Sequence, residues 1–155
     1  MPQNDSTKII SQNKRARFNY EILETMEAGI VLAGSEVKSL RTSKVNISDT
    51  YAAPENDEIK IHNLFITEYK NSSQKDTNPR RIRKLLFHRR EIKKIQGYID
   101  QKGMSLIPLK LYFNSKGVAK IELAIARGKK LYDKREAEKK RDWDRSKQRL
   151  FKKDQ

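Results

Sequence analysis

Toward the end of the chain, hydrophobic and polar positions alternate with a period of two over two long runs. Leu109, Leu111 and Phe113 interleave with Lys110, Tyr112 and Asn114, and Ile121, Leu123 and Ile125 interleave with Lys120, Glu122, Ala124 and Ala126. That period is the mark of a strand, whose successive side chains leave opposite faces. Asn114-Ser-Lys-Gly117 between the runs has the residues of a hairpin turn. Upstream, Tyr20–Met26 reads as a strand, a turn follows at Gly29, and Ile30–Ala33 reads as a second, short apolar strand. Gly34-Ser35 opens a helical pattern with Ser35 as its N-cap, and Val37 and Leu40 fall on its inner face. Strands are expected over Val45–Ala53 and Glu58–Glu68, the second with Ile59, Ile61, Leu64 and Ile66, joined by a turn at Pro54–Asp57. Leu85, His88, Ile92, Ile95 and Ile99 then recur at helical spacing; Pro79 marks the start of that helix and Gly103 its end.

These elements make about six strands and two helices within residues 14–127. Short antiparallel strands in this number predict a mainly β fold: a small closed barrel of the oligonucleotide-binding (OB) type, since closure removes exposed strand edges. Residues 1–13 are polar without clear periodicity and read as a flexible N-terminal arm. Residues 128–155 read as a basic C-terminal tail. It has helix formers but no apolar face wide enough to dock, so it is expected to be disordered when free and to fold on a partner.

Charge narrows the partner. Lys and Arg number 35 against 20 Asp and Glu, a formal net charge of +15. Such an excess points to a polyanion, most often nucleic acid. No run approaches the length of a membrane span, no signal-peptide core begins the chain, and there is no cysteine for a disulfide or thiolate metal site. The expected setting is cytoplasmic, without membrane, metal, cofactor or small-molecule substrate.

The densest cationic cluster runs from Pro79 to Lys94, with Arg80, Arg81, Arg83, Lys84, Arg89, Arg90, Lys93 and Lys94 against Glu91 alone. It lacks the mixed signs of an ordinary surface and suits contact with phosphates. Phe18, Tyr20, Tyr51, Tyr69 and Tyr112 are candidates to stack on unpaired bases, although core packing explains each one singly. Trp143 stands among charges, so burial against a partner suits it better. Catalytic patterns are absent: His62 and His88 lack triad or metal spacing, and there is no phosphate-binding glycine loop. A binding module is favoured. A generic basic RNA-binding barrel, or an RNA-processing enzyme built on His62, His88 and scattered carboxylates, remains as an alternative on residues alone.

Six motifs occur in one order: Asn13–Arg17, Glu27-Ala-Gly29, Gly34–Arg41, Asn46-Ile-Ser-Asp49, Arg83-Lys-Leu-Leu86 with His88–Glu91, and Gly128–Arg135. With Trp143, they resemble the SmpB family of bacterial SsrA-binding proteins over about residues 10–150. The resemblance implies a non-catalytic partner of transfer-messenger RNA in trans-translation, the rescue of stalled ribosomes. The barrel would hold the tRNA-like domain of that RNA. The tail would reach the decoding centre and the empty mRNA channel of the small subunit and become helical there. Glu27, Lys84, Leu86 and His88 match the family's RNA-facing positions, and Arg83, Arg89 and Arg90 join them from the basic cluster. Gly128, Lys129, Lys130, Tyr132, Asp133, Lys134, Arg135 and Trp143 match the ribosome-binding tail. His88 stands where some members carry Asn, and Tyr132 where some carry His; both keep hydrogen-bonding capacity.

Overall fold

The computed structural model describes residues 7–69, 78–129, 139–143 and 145–146. In chain order its elements are β1 (Lys8–Gln12), α1 (Ala16–Asn19), β2 (Tyr20–Ile30), α2 (Gly34–Thr42), β3 (Tyr51–Glu55), β4 (Glu58–His62), β5 (Arg83–Leu86), α3 (Arg89–Lys102), β6 (Ser105–Phe113) and β7 (Ala119–Gly128).

The two alternating runs form the hairpin they predict. β6 and β7 pair antiparallel from Ser105↔Ala126 to Phe113↔Ala119. The Asn114 side chain holds the turn by accepting the N–H groups of Lys116 and Val118 at 3.0 and 2.9 Å. Gly117 takes φ 74°, where a side chain would be strained. The other edge of β6 pairs β3 at Leu106 and β1 from Lys110 to Phe113. β3–β4, β4–β5, β5–β2 and β2–β7 complete an antiparallel ring of six strands, with β1 alongside β6. The mainly β, closed-barrel expectation is therefore met.

Two β-bulges let one sheet serve two cores. Ile121, Leu123 and Ile125 point inward with Ile59, Ile61, Leu85, Leu111 and Phe113. On the outer side, Ala124 and Ala126 lie under Ala16 of α1 with Ile107 and Leu109, and Tyr20 and Ile22 pack against them. Small residues at alternate positions of β7 let α1 approach closely. The bulge between Pro108 and Lys110 puts Leu109 on the outer cluster while Leu111 and Phe113 stay inside. A second bulge between Ile22 and Glu24 switches β2 from Ile22 outside to Met26 and Ala28 inside.

Several sequence expectations are corrected. Gly29 is no turn: β2 runs unbroken through it and changes partner there, from β7 to β5. Ala33, not Ser35, caps α2, and its N–H donates to the Glu36 carboxylate at 2.9 Å. Of the 45–53 region only residues 51–53 are strand, and β3 continues through Pro54 to Glu55; the turn falls on Asn56 and Asp57, at φ 49° and 62°. β4 stops at His62, because Asn63 takes φ 62° and redirects the chain. Pro79 starts no helix. Arg83–Leu86 is a strand, and α3 begins only after His88. Ile92, Ile95 and Ile99 keep the inward stripe, and Gly103 ends the helix at φ 60°. Lys8–Gln12, read as part of an unstructured arm, pairs with β6.

Candidate nucleic-acid interface

From residue 80 to residue 88, side chains alternate strictly: Arg80, Ile82, Lys84, Leu86 and His88 are exposed, while Arg83 and Leu85 are buried. The outer members make a stripe of alternating cationic or polar and apolar groups. Register brings further residues to it. Gly29 lies opposite both Leu86 and Lys120, so Glu27, two residues earlier on β2, shares their face. Leu86 is 54% exposed, and its side chain lies close over Gly29: a Cβ on that glycine would come within 3.3 Å of Leu86 Cδ1. Lys60 lies opposite Lys84 on the same face, and Lys84 Nζ is 3.2 Å from Glu58 Oε1.

Glu27 does not float on this surface. The Tyr112 hydroxyl, buried on the outer side of β6, donates to its carboxylate. Burial first, and then the hydrogen bond to Glu27, push the Tyr112 phenol well above its ordinary 10.0. The carboxylate is thus aimed as an acceptor, suited to a base amino group or a ribose hydroxyl. The sequence pattern placed Tyr112 among stacking candidates and did not reveal this role; its alternation with Leu111 and Phe113 was the available signal that it faces away from the core. Tyr112→Phe is expected to cost about 1 kcal/mol of stability and to leave the fold intact. In an ultraviolet pH titration, the most alkaline tyrosine step of the wild type should vanish in this variant.

The first turn of α3 carries His88, Arg89 and Arg90, all exposed. His88 is the N-cap, and its backbone N–H donates to the Glu91 carboxylate at 3.1 Å. Cations at a helix N-terminus oppose its dipole by a few tenths of a kcal/mol. Helix stability therefore gives no reason for two arginines there, whereas a phosphate partner does. Lys94 is differently placed. It donates to Glu24 on β2 at 2.6 Å, and this bond, first among its causes, raises its pKa.

Arg83 leaves the interface. It is fully buried and points into the barrel. Its Nε donates to Glu36 Oε2 at 2.6 Å, its Nη1 to the carbonyls of Leu64 and Arg81 at 2.7 and 2.9 Å, and its Nη2 to that of Pro79 at 3.1 Å. Arg81 meets the other Glu36 oxygen at 2.5 Å. Arg83 thus fastens α2 and the segments flanking residues 64 and 79 to the barrel. Counting it with the surface cations overlooked the period that places it beside Leu85.

At the tail, Gly128 ends β7 opposite Tyr20. Lys129 continues against α1: its N–H donates to Asn19 O at 2.9 Å and its Nζ to Arg17 O at 3.3 Å. Lys130, Tyr132, Asp133, Lys134 and Arg135 lie outside the described residues. Residues 139–143 are helical, with the Arg141 guanidinium 5.2 Å from the centre of the Phe18 ring. Trp143 is 62% exposed.

A closed antiparallel barrel with this cationic and apolar stripe, followed in sequence by a basic segment, defines a small RNA-binding barrel protein. The family model described as "SmpB protein" matches residues 10–153, and the chain belongs to that family. It is 56% identical to the SsrA-binding protein of Agrobacterium fabrum over 145 residues, 94% of this chain and 91% of that protein. The SsrA-binding protein of Allorhizobium ampelinum is 54% identical, with 97% and 95% covered, and that of Bartonella henselae 55% identical, with 94% and 92% covered. A solved structure described as "tmRNA-SmpB: a journey to the center of the bacterial ribosome" matches at 51% identity with a TM-score of 0.63, covering 77% of this chain and 84% of that one.

Proposed function

We propose that this protein binds transfer-messenger RNA and delivers it to stalled ribosomes for trans-translation. The observation that carries the proposal is the agreement between family membership and one outer face. Strand register gathers Glu27, Lys84 and Leu86 there, and the chain turns directly from Leu86 into His88, Arg89 and Arg90. Lys84, Arg89 and Arg90 neutralise phosphates of the tRNA-like domain, Leu86 packs on a sugar or base, and Glu27 and His88 hydrogen-bond. The tail, from Gly128 through Arg135 to Trp143, engages the decoding centre and the mRNA channel. The domain division follows: an RNA-binding barrel to residue 127, joined at its edge by Lys8–Gln12, and a ribosome-binding tail. The proposal gives the chain a binding role and no catalytic step. His88 caps a helix and His62 is stacked on Tyr51, so neither is arranged as a general base beside a nucleophile. No described helix is long and apolar enough to cross a membrane; the working compartment is the cytoplasm, where ribosomes translate.

The test is a triple charge reversal, Lys84→Glu with Arg89→Glu and Arg90→Glu. It is expected to weaken binding to the tRNA-like domain at least about 100-fold at low salt and to flatten the log–log salt dependence by about 0.7 to 0.9 for each phosphate no longer neutralised. Excess ordinary tRNA should compete poorly with the wild type. Equal competition by tRNA would instead mark a generic basic RNA binder.

A further inference from the structure

We propose that the outer face of β3 and β4, centred on Tyr51 and His62, is a stacking platform for unpaired bases of the bound RNA. The inference rests on the reading of the adjoining face as RNA-binding and extends it to residues that reading does not use.

The structure sorts the aromatic side chains. Tyr112 is buried and committed to Glu27, Tyr20 packs into the satellite core, Phe18 lies beneath Arg141, and Tyr69 is partly buried with Lys38 above it. Tyr51 and Phe65 stay largely exposed, at 47% and 46%. Tyr51 is also held in place. It lies opposite His62 across the β3–β4 ladder, and the two rings stack 5.1 Å apart and within 8° of parallel. His62 is pinned in turn: its Nε2 sits 2.7 Å from Glu55 Oε1, close but not aligned for a hydrogen bond. An aromatic ring fixed from below loses little rotamer freedom when a base settles on it, so the stack is pre-organised.

Position and charge select the occupant. Moving along β4 by one two-residue step leads from His62 to Lys60, which lies opposite Lys84 of the RNA face. Toward the other end, Phe65 has the Arg80 guanidinium 5.7 Å from its ring centre, and Arg80 belongs to the same exposed alternation as Lys84 and Leu86. Around the rings the charges balance: Glu55 and Glu58 answer Lys60 and Lys84. In a chain of net charge +15, that balance suits bases, which are neutral, while the arginines of α3 take phosphates. The surface therefore offers stacking where charge is low and cations where the backbone passes, which is the division used to hold single-stranded segments.

The experiment uses the full chain and two probes: a mixed-sequence single-stranded RNA of about 12 nucleotides and a blunt A-form duplex of about the same length. Tyr51→Ala is expected to weaken single-strand binding about 5- to 100-fold and duplex binding less than about twofold. Tyr51→Phe keeps the ring and should bind both probes like the wild type, and His62→Ala should lose part of the single-strand preference. Thermal unfolding of each variant separates loss of fold from loss of stacking. If Tyr51→Ala binds both probes like the wild type, or loses both in equal measure while folded, the platform is refuted. Lys84→Glu in parallel tests the underlying reading: if it weakens neither probe, the RNA face itself is wrong, whatever Tyr51 does.

Discussion

A chain ending at Lys129 is expected to bind transfer-messenger RNA and to support no tagging of stalled products. The barrel is complete at that point. β7 ends at Gly128, and the bonds that Lys129 makes with Asn19 and Arg17 are kept in the shortened chain. The stripe from Arg80 to His88, Glu27 and its Tyr112 all belong to the retained part. What is removed is mostly charge. Residues 130–155 include Lys130, Lys134, Arg135 and Trp143, the groups proposed to meet the ribosome. Affinity for the isolated RNA should fall by no more than about tenfold, the sequence-independent share of a deleted cationic segment. Tagging in a reconstituted translation system should fall to background, because the decoding centre is then left unfilled. Loss of RNA binding together with tagging would show that tail and barrel form a single RNA site.

The fold was legible where side chains answer to one face only. β6, β7 and their hairpin follow directly from alternation, and α3 from Ile92, Ile95 and Ile99. It was illegible where one segment serves two surroundings. Leu85 and His88 fit the helical stripe of α3 by spacing, yet Leu85 is a barrel residue and His88 a cap; a strand running into a helix shares positions with both periods. Gly29 looked like a turn because glycine is common there, but it sits inside a strand under Leu86, whose Cδ1 a Cβ at residue 29 would approach to 3.3 Å and push aside by a few tenths of an ångström. The site shows the same limit. Lys84, Arg89 and Arg90 were readable as surface cations, while Leu86 came from the family resemblance alone, and the structure leaves all four exposed. The Tyr112–Glu27 bond joins residues 85 positions apart in sequence, and no local pattern carries such a pairing. Composition also cannot distinguish a cation that meets a partner from one that holds the fold, and Arg83 beside Lys84 is the clearest instance.

Those two neighbours are expected to separate cleanly on mutation. Arg83→Met should cost about 3–5 kcal/mol of unfolding free energy, because it leaves one oxygen of the buried Glu36 carboxylate without its guanidinium partner and the carbonyls of Leu64, Arg81 and Pro79 without their donor. Lys84→Met, one residue on, should change stability by about 0.5 kcal/mol or less and act on RNA affinity instead. The burial of Glu36 by itself favours its neutral form. The Ala33 N–H and the guanidinium groups of Arg83 and Arg81 more than offset this and hold its pKa below the ordinary 4.5. The folded state therefore prefers the ionised carboxylate. Its contribution is present above the ordinary value and is lost as pH falls through the lowered one. Removing Arg83 takes away a main source of that hold, so acid sensitivity from this group should diminish even as stability at neutral pH drops. Replacing both partners, Glu36→Met with Arg83→Met, should recover much of the loss, since an apolar pair leaves no stranded charge. Urea unfolding of the three variants at neutral pH and at stepped acid pH reads all of these outcomes. An Arg83→Met protein with an unchanged unfolding midpoint and a selective loss of RNA binding would return Arg83 to the interface and reverse its assignment to the core.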